Sequence, residues 1–197
     1  SLNSEEYDIM LKHKYSTINS FSGEITQEGL EKLRKNPNVK SVIINGKKEL
    51  FLDVSVPMVN ASNTWGYVYN DTNITGKGET VCVIDTGVDY THGNLGGSWG
   101  NKVISGYNTI TNTDCNTNNN ACMDDHGHGT HVTGIIVSDN ETYKGVAPDA
   151  KIVTIKACSS AGTCEDGDVT SGIDWCVSNA LTYNISIITM SLGGGTF

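Results

Sequence analysis

Two short segments of the chain contain the residue types that acid–base chemistry needs. Asp85 follows the apolar run at residues 81–84, and His128 lies in a Gly-rich string that opens a predicted helix. An aspartate at the end of a buried strand and a histidine at the start of a helix can meet at one sheet edge. There the carboxylate would accept the Nδ1 proton of the imidazole and leave Nε2 free as a general base. The pattern predicts an Asp85–His128 pair, although Asp85 alone could equally be a turn aspartate or a helix cap.

Two other kinds of site are compatible with parts of this pattern. His126, His128 and His131 resemble the His-x-His-x-Asp-His cluster of metallo-β-lactamase-like hydrolases, but Thr130 stands where that cluster has its aspartate. The string Asp85-Thr86-Gly87 resembles that of aspartic proteases, which would leave the histidines unexplained. The first hypothesis requires three converging histidines, and the second requires an all-β chain.

The net charge of the chain argues against two classes of binding partner, nucleic acids and anionic membranes. Thirteen Lys plus Arg against twenty-two Asp plus Glu give a formal net charge of −9, and no basic run, Lys47-Lys48 included, is longer than two residues. Nucleic acids and anionic membranes select clustered cations, so neither is an expected partner. No apolar stretch approaches the roughly 20 residues of a membrane-spanning helix, so no membrane span is expected.

The elements that must position the site fall into two regions. Residues 1–50 predict a small α+β unit: a helix with Leu30 and Leu33 on one face, ended by Pro37, then a strand at 39–44 and a turn at Asn45-Gly46. The region that follows, up to Gly78, is rich in Asn, Thr and Gly and is predicted to be a linker. From residue 79 onward, strands at 81–84, 152–155 and 185–188 alternate with helices at 128–137 and 166–180, which predicts an α/β fold with a doubly wound parallel sheet.

The strand ends of such a sheet indicate where a ligand binds. The residues that leave the three predicted strands are small or polar and contain glycine, at 85–87, 158–162 and 191–194. Ligands of open parallel sheets bind at the carboxyl ends of the strands. We therefore expect a cleft there, lined by an acid and by exposed backbone.

The cysteines indicate an oxidising compartment. Cys115 and Cys122, and Cys158 and Cys164, each flank a short polar loop that a disulfide could close, although Cys176 could compete in the second pair. Cys82 and Cys176 lie in apolar or helical runs and are expected to be buried thiols. A secreted or extracellular glycoprotein is expected, since the chain has five Asn-x-Ser/Thr sequons, at Asn60, Asn70, Asn73, Asn140 and Asn184.

Four ordered motifs give the chain a resemblance to subtilisin-like serine proteases. They are the segment around Asp85, the string at residues 127–132, Gly145-Val146-Ala147-Pro148, and Ser191-Leu192-Gly193-Gly194. The resemblance implies a serine endopeptidase in which Asp85 is the triad acid and His128 the general base. It also implies that residues 79–197 are the N-terminal half of the peptidase domain, and that 51–78 form a junction.

The same resemblance implies where polypeptide substrates bind. In the family a substrate adds as a β-strand to two backbone edges, which match Ser159, Ser160, Ala161 and Gly162 on one side and Ser191, Leu192 and Gly193 on the other. Residues 1–50 resemble part of the inhibitory propeptide of a zymogen, which would be an intramolecular inhibitor. The alternative is an unrelated α+β appendage. A processing bond is expected between Lys48 and Ser55.

The chain departs from the family in one essential respect. The family's serine lies in a Gly-Thr-Ser string, and none of the Gly-Thr pairs at 129–130, 162–163 and 195–196 precedes a serine. The chain alone is therefore expected to be inactive unless a second chain supplies the missing C-terminal half. A pseudoenzyme, or a module that binds peptides or a partner, is the alternative. No cofactor is required; a structural calcium is possible, but Gly93 and Asn94 replace the family's Pro and Asp.

Overall fold

A computed structural model describes residues 8–50, 59 and 61–193. The first unit begins with an antiparallel hairpin of strands β1 (Ile9–Lys14) and β2 (Phe21–Ile25). Helix α1 (Gln27–Lys35) follows, capped by Thr26, whose hydroxyl accepts from the N–H of Gly29. Helix α1 buries Leu33, in agreement with the predicted apolar face.

The strand predicted at residues 39–44 is wrong. These residues form no regular element, and the side chains of Ile43 and Ile44 are 87% and 91% exposed. In the described residues β1 and β2 pair only with each other, so no strand lies beside the 39–44 segment. The next strand is β3 (Lys47–Leu50), immediately after the predicted Asn45-Gly46 turn.

Five strands form the main sheet of the second region. Strands β4 (Val68–Tyr69) and β5 (Thr72–Asn73) form a separate hairpin before it. In spatial order the sheet contains β11 (Ile185–Thr189), β6 (Thr80–Asp85), β9 (Lys151–Lys156), β7 (Val103–Asn108) and β8 (Thr113–Asp114). The first four are parallel, and β8 is antiparallel to β7.

Helices cover both faces of this sheet, which confirms the doubly wound α/β prediction. Along β6, Val81 and Val83 pack in the cluster that contains Val132 of helix α2 (His128–Val137). The alternate residues, Cys82 and Ile84, pack on the other face against helix α3 (Asp166–Ser178). Period-two side-chain alternation thus assigns one helix to each face. A short helix α4 (Ala180–Tyr183) follows α3.

Strand β7 was not predicted from the sequence, because Ser105 and Gly106 interrupt its apolar pattern. Short 3₁₀ helices lie at Ala61–Asn63, Gly93–Leu95 and Asn119–Cys122. Two further short strands are β10 (Cys164–Glu165) and β12 (Leu192–Gly193). No helix in the part of the chain that the structure describes is long and apolar enough to cross a membrane.

The structure corrects the prediction for two cysteines. Cys82 and Cys176, expected to be thiols, form a disulfide between β6 and α3 with a Cα–Cα distance of 6.3 Å. Their 94-residue separation in sequence gave no indication of the pairing, which follows from packing α3 on this face of the sheet. The structure also joins Cys115 to Cys122 and Cys158 to Cys164.

Candidate active site

The structure brings Asp85 and His128 together at the carboxyl end of β6. Asp85 is 1% exposed, and its Oδ1 lies 2.8 Å from Nδ1 of His128. The same oxygen accepts from the N–H of Thr86 at 2.8 Å. Burial raises the pKa of Asp85, while the hydrogen bonds from His128 and Thr86 act in the opposite direction. The hydrogen bond from His128 therefore offsets part of the cost of burying the negative charge of Asp85.

The arrangement of the ring leaves its second nitrogen available. The His128 side chain is 11% exposed, and no described residue hydrogen-bonds to its Nε2 atom. A carboxylate that accepts a hydrogen bond from Nδ1 keeps the proton on that nitrogen, so Nε2 is the nitrogen that can accept a proton. The pair is therefore arranged for general-base chemistry at Nε2.

The two alternative sites do not match this geometry. Among the described residues, His126, His128 and His131 do not converge as a group that could hold a metal ion. His126 and His131 are exposed, and the rings of His126 and His128 have centroids 6.3 Å apart. The aspartic-protease hypothesis required an all-β chain, and the α/β sheet excludes that fold for the region described.

Strand β3 lies between two backbone edges near the ends of the sheet strands. It pairs antiparallel with β10 on one side, where Lys48 lies opposite Cys164. It pairs antiparallel with β12 on the other side, where Leu50 lies opposite Leu192 and Glu49 opposite Gly193. The predicted edge at Ser191, Leu192 and Gly193 therefore includes both residues that pair with an extended segment.

The other predicted edge, residues 159–162, has a different local structure. Residues Ser159, Ser160, Ala161 and Gly162 form a turn, in which the N–H of Gly162 donates to the carbonyl of Ser159 at 2.9 Å. Gly162 has a φ of +74°, a conformation that favours glycine, and the Cys158–Cys164 disulfide closes the turn. Among the described residues this side pairs with β3 only at Cys164–Glu165, and substrate binding by residues 159–162 stays a prediction.

Sequence reasoning missed a polar contact between the first unit and α3. Nε2 of His13 lies 2.8 Å from Oδ1 of Asp168, and Nζ of Lys12 lies 2.9 Å from Oδ2. The backbone of Gly46 makes two hydrogen bonds with Asp166: the Gly46 N–H donates to the side-chain Oδ2, and the Gly46 carbonyl accepts from the Asp166 N–H. In β1, Lys12, His13 and Lys14 follow three apolar residues, and no local pattern marks them as an interface.

Comparisons with known proteins place this geometry in context. The Subtilase family model matches residues 76–197, and the Peptidase inhibitor I9 model matches residues 1–50. Serine protease AprX of Bacillus subtilis is 33% identical over 196 residues, which cover 93% of this chain and 40% of that protein. Thermostable alkaline protease of Halalkalibacterium halodurans is 32% identical, with 96% and 47% covered.

A solved structure is also similar in sequence. The crystal structure of a cold adapted subtilisin-like serine proteinase is 35% identical, with 58% of this chain and 36% of that chain covered and a TM-score of 0.45. The chain spans about half or less of the length of the two curated relatives, 40% and 47%.

Proposed function

The chain belongs to the subtilase family, and from this premise we propose that the protein is a serine endopeptidase with Asp85 and His128 in its triad. In this proposal the nucleophilic serine comes from outside residues 1–197. Asp85 orients the ring, and His128 removes the serine proton through Nε2 and returns it to the leaving amine. Polypeptides are the substrates.

One observation carries this proposal. A buried carboxylate at the end of a central parallel strand contacts the Nδ1 atom of a histidine at the start of a helix, at 2.8 Å. Such a pair orders the imidazole for proton transfer, and a hydroxyl at Nε2 together with donors for the oxyanion would complete an acyl-transfer site. The family membership supplies the class of nucleophile.

We also propose that residues 1–50 inhibit this site as a propeptide. Support comes from the I9 match and from β3, which lies as a strand between β10 and β12 as a bound peptide would. Residues 51–78 would then be the junction and 79–197 the first half of the peptidase domain. We propose that the processing bond lies between Lys48 and Ser55. Residues 51–55 of this interval are outside the described residues. The disulfides support a secreted location.

Kinetic assays on unfolded casein would test the function in a form of the protein that extends beyond residue 197. We expect Asp85→Asn to lower kcat by about four orders of magnitude, because the amide favours the wrong tautomer of His128. His128→Ala should remove activity to a similar extent, whereas Glu141→Gln, at an exposed carboxylate, should not. The 197-residue chain should be inactive alone and become active when the remaining half is added as a second chain.

A pseudoenzyme is the competing function, because the Gly-Thr pairs of this chain lack the serine. Such a protein would bind peptides between β10 and β12 without cleaving them. The residues that follow position 197 distinguish the two: a Gly-Thr-Ser string supports the peptidase. If the extended protein binds casein and leaves it intact, the peptidase proposal is wrong.

A further inference from the structure

Helix α2 begins with a residue that cannot cap it. Its N-cap residue is Gly127, at a φ of +100°, which has no side-chain oxygen for the N–H groups of the first turn. Those groups need acceptors. Here they come from other segments: Thr86 Oγ1 accepts from the N–H of Gly129 at 2.9 Å, and Asp124 Oδ2 accepts from the N–H of Thr130 at 2.8 Å. The start of the helix is therefore fixed from outside the helix.

The Asp124 carboxylate also holds the segment before the helix. Its Oδ1 accepts from the N–H of His126 at 3.0 Å and from that of Gly127 at 2.9 Å. The same oxygen accepts from the hydroxyl of Thr86 at 2.8 Å. One carboxylate thus binds backbone groups on both sides of His128 and, through Thr86, the turn that follows the triad acid.

The charge of Asp124 suits this role. Burial acts to raise the pKa of Asp124, but hydrogen bonds from Thr130, Gly127 and His126 outweigh it and hold the pKa below its usual range. The Asp124 carboxylate is therefore ionised at neutral pH, and both of its oxygens can only accept hydrogen bonds. A negative charge at the start of a helix is also favoured by the helix dipole.

We propose that Asp124 is a positioning residue for the Asp85–His128 pair. Its ionised carboxylate, with the Thr86 hydroxyl, joins the two segments that carry the acid and the base, and so sets the contact between them. Asp124 acts through its neighbours and does not contact the reacting atoms. The inference rests on the proposed function, since it assigns Asp124 to the geometry of that site.

The contact can be observed without an assay of catalysis. An imidazole N–H bound to a carboxylate gives a far-downfield proton resonance in NMR spectra, and its exchange with water measures how well the bond is held. The described residues include a second such pair, because His13 also contacts a buried aspartate. The variants His128→Gln and His13→Gln assign the two resonances, and the His13 resonance then serves as an internal control.

Asp124→Asn is the main variant. It keeps the size of the side chain, but it replaces one accepting oxygen with an NH₂ group, which cannot accept from the backbone N–H groups around it. We expect the His128 Nδ1 proton to exchange at least about tenfold faster or to disappear, while the His13 resonance is unchanged. Thr86→Val should act in the same direction, and Thr86→Ser, which keeps the hydroxyl, should not. Val137→Ala on the same helix is the matched control, since it lowers stability without touching these bonds.

The outcomes separate the inference from the function on which it rests. If Asp124→Asn and Thr86→Val both keep the His128 resonance at wild-type exchange, Asp124 is only a helix cap and the inference is wrong. If Asp124→Asn fails to fold, the Thr86→Val and Thr86→Ser pair decides alone. If the wild-type chain lacks the His128 resonance, the Asp85–His128 contact itself is absent, and the proposed function loses its main support.

Discussion

His13 and Asp168 form a contact of 2.8 Å between the first unit and helix α3, and both residues are almost completely buried, at 4% and 3% exposure. Without His13, the buried Asp168 carboxylate keeps its desolvation cost and only Lys12 is left to offset it. We therefore expect His13→Ala to weaken the attachment of residues 1–50 by about 2–4 kcal/mol. Urea unfolding followed at Trp175 would measure it. An exposed-site control is Lys35→Ala in α1, for which a change within about 0.5 kcal/mol is expected.

The same contact predicts a loss of stability in acid. Burial acts to raise the pKa of Asp168, but the hydrogen bonds and charges of His13 and Lys12 outweigh it and lower the pKa. A lowered pKa gives stability that is complete above the unfolded value, about 3.9, and is lost as the pH falls through the folded value. The free energy of unfolding should therefore fall below about pH 4. In Asp168→Asn this part of the decrease should be missing. If the free energy of unfolding falls equally in acid in the wild type and the variant, Asp168 is not its cause.

Gly129 allows α2 to approach β6 closely. A Cβ atom at this position would lie 2.1 Å from the carbonyl oxygen of Gly87, whereas one at Gly134 on the same helix would meet nothing within 4 Å. We expect Gly129→Ala to destabilise the fold by about 2 kcal/mol or more, through forced backbone movement. Gly134→Ala should stabilise it by about 0.5–1 kcal/mol, as helix propensity predicts. Thermal unfolding of the two variants provides the comparison, and equal effects would show that the close approach is not required.

The disulfides should differ in their contributions to stability. Cys82–Cys176 closes a loop of 94 residues and Cys158–Cys164 one of 6. On the chain-entropy account, the first should contribute about 4–5 kcal/mol and the second about 2 kcal/mol. Double Cys→Ala variants of each pair, compared by urea unfolding under oxidising conditions, would measure the difference. Equal losses would indicate that strain or residual structure in the unfolded chain, rather than loop closure, sets the values.

Gly46 anchors the segment that leads into β3. A Cβ atom there would lie 2.6 Å from Oδ2 of Asp166, whose carboxylate accepts from the N–H of Gly46. Gly46→Ala should therefore loosen β3 and raise amide hydrogen exchange at Lys47–Leu50 by about tenfold. Gly66→Ala, where a Cβ atom would meet nothing within 4 Å, is the control. Unchanged protection of β3 in Gly46→Ala would show that pairing with β10 and β12 alone holds the strand.

The sequence predicted what local periodicity and motif order encode. The apolar runs in β6, β9 and β11 and the start of α2 at His128 were predicted, so the sheet edge that carries Asp85 and His128 was predictable as well. Strand β7 was not, because Ser105 and Gly106 remove its apolar pattern. The Cys82–Cys176 bond and the His13–Asp168 contact join residues far apart in sequence, and only tertiary packing brings them together.

Strand β3 belongs to the same chain as β10 and β12, with which it pairs. If residues 1–50 are the inhibitor that we propose, this tether changes the competition for the two edges. A peptide arriving from solution must displace a segment whose effective concentration is on the order of millimolar when the connection is short and flexible. Under that proposal, even weak pairing along the described strand, Lys47–Leu50, would be sufficient to keep the edges occupied against dilute substrates. Once the connection is cut and the first unit dissociates, the same weak pairing cannot compete, and dilution alone makes the change effectively one-way.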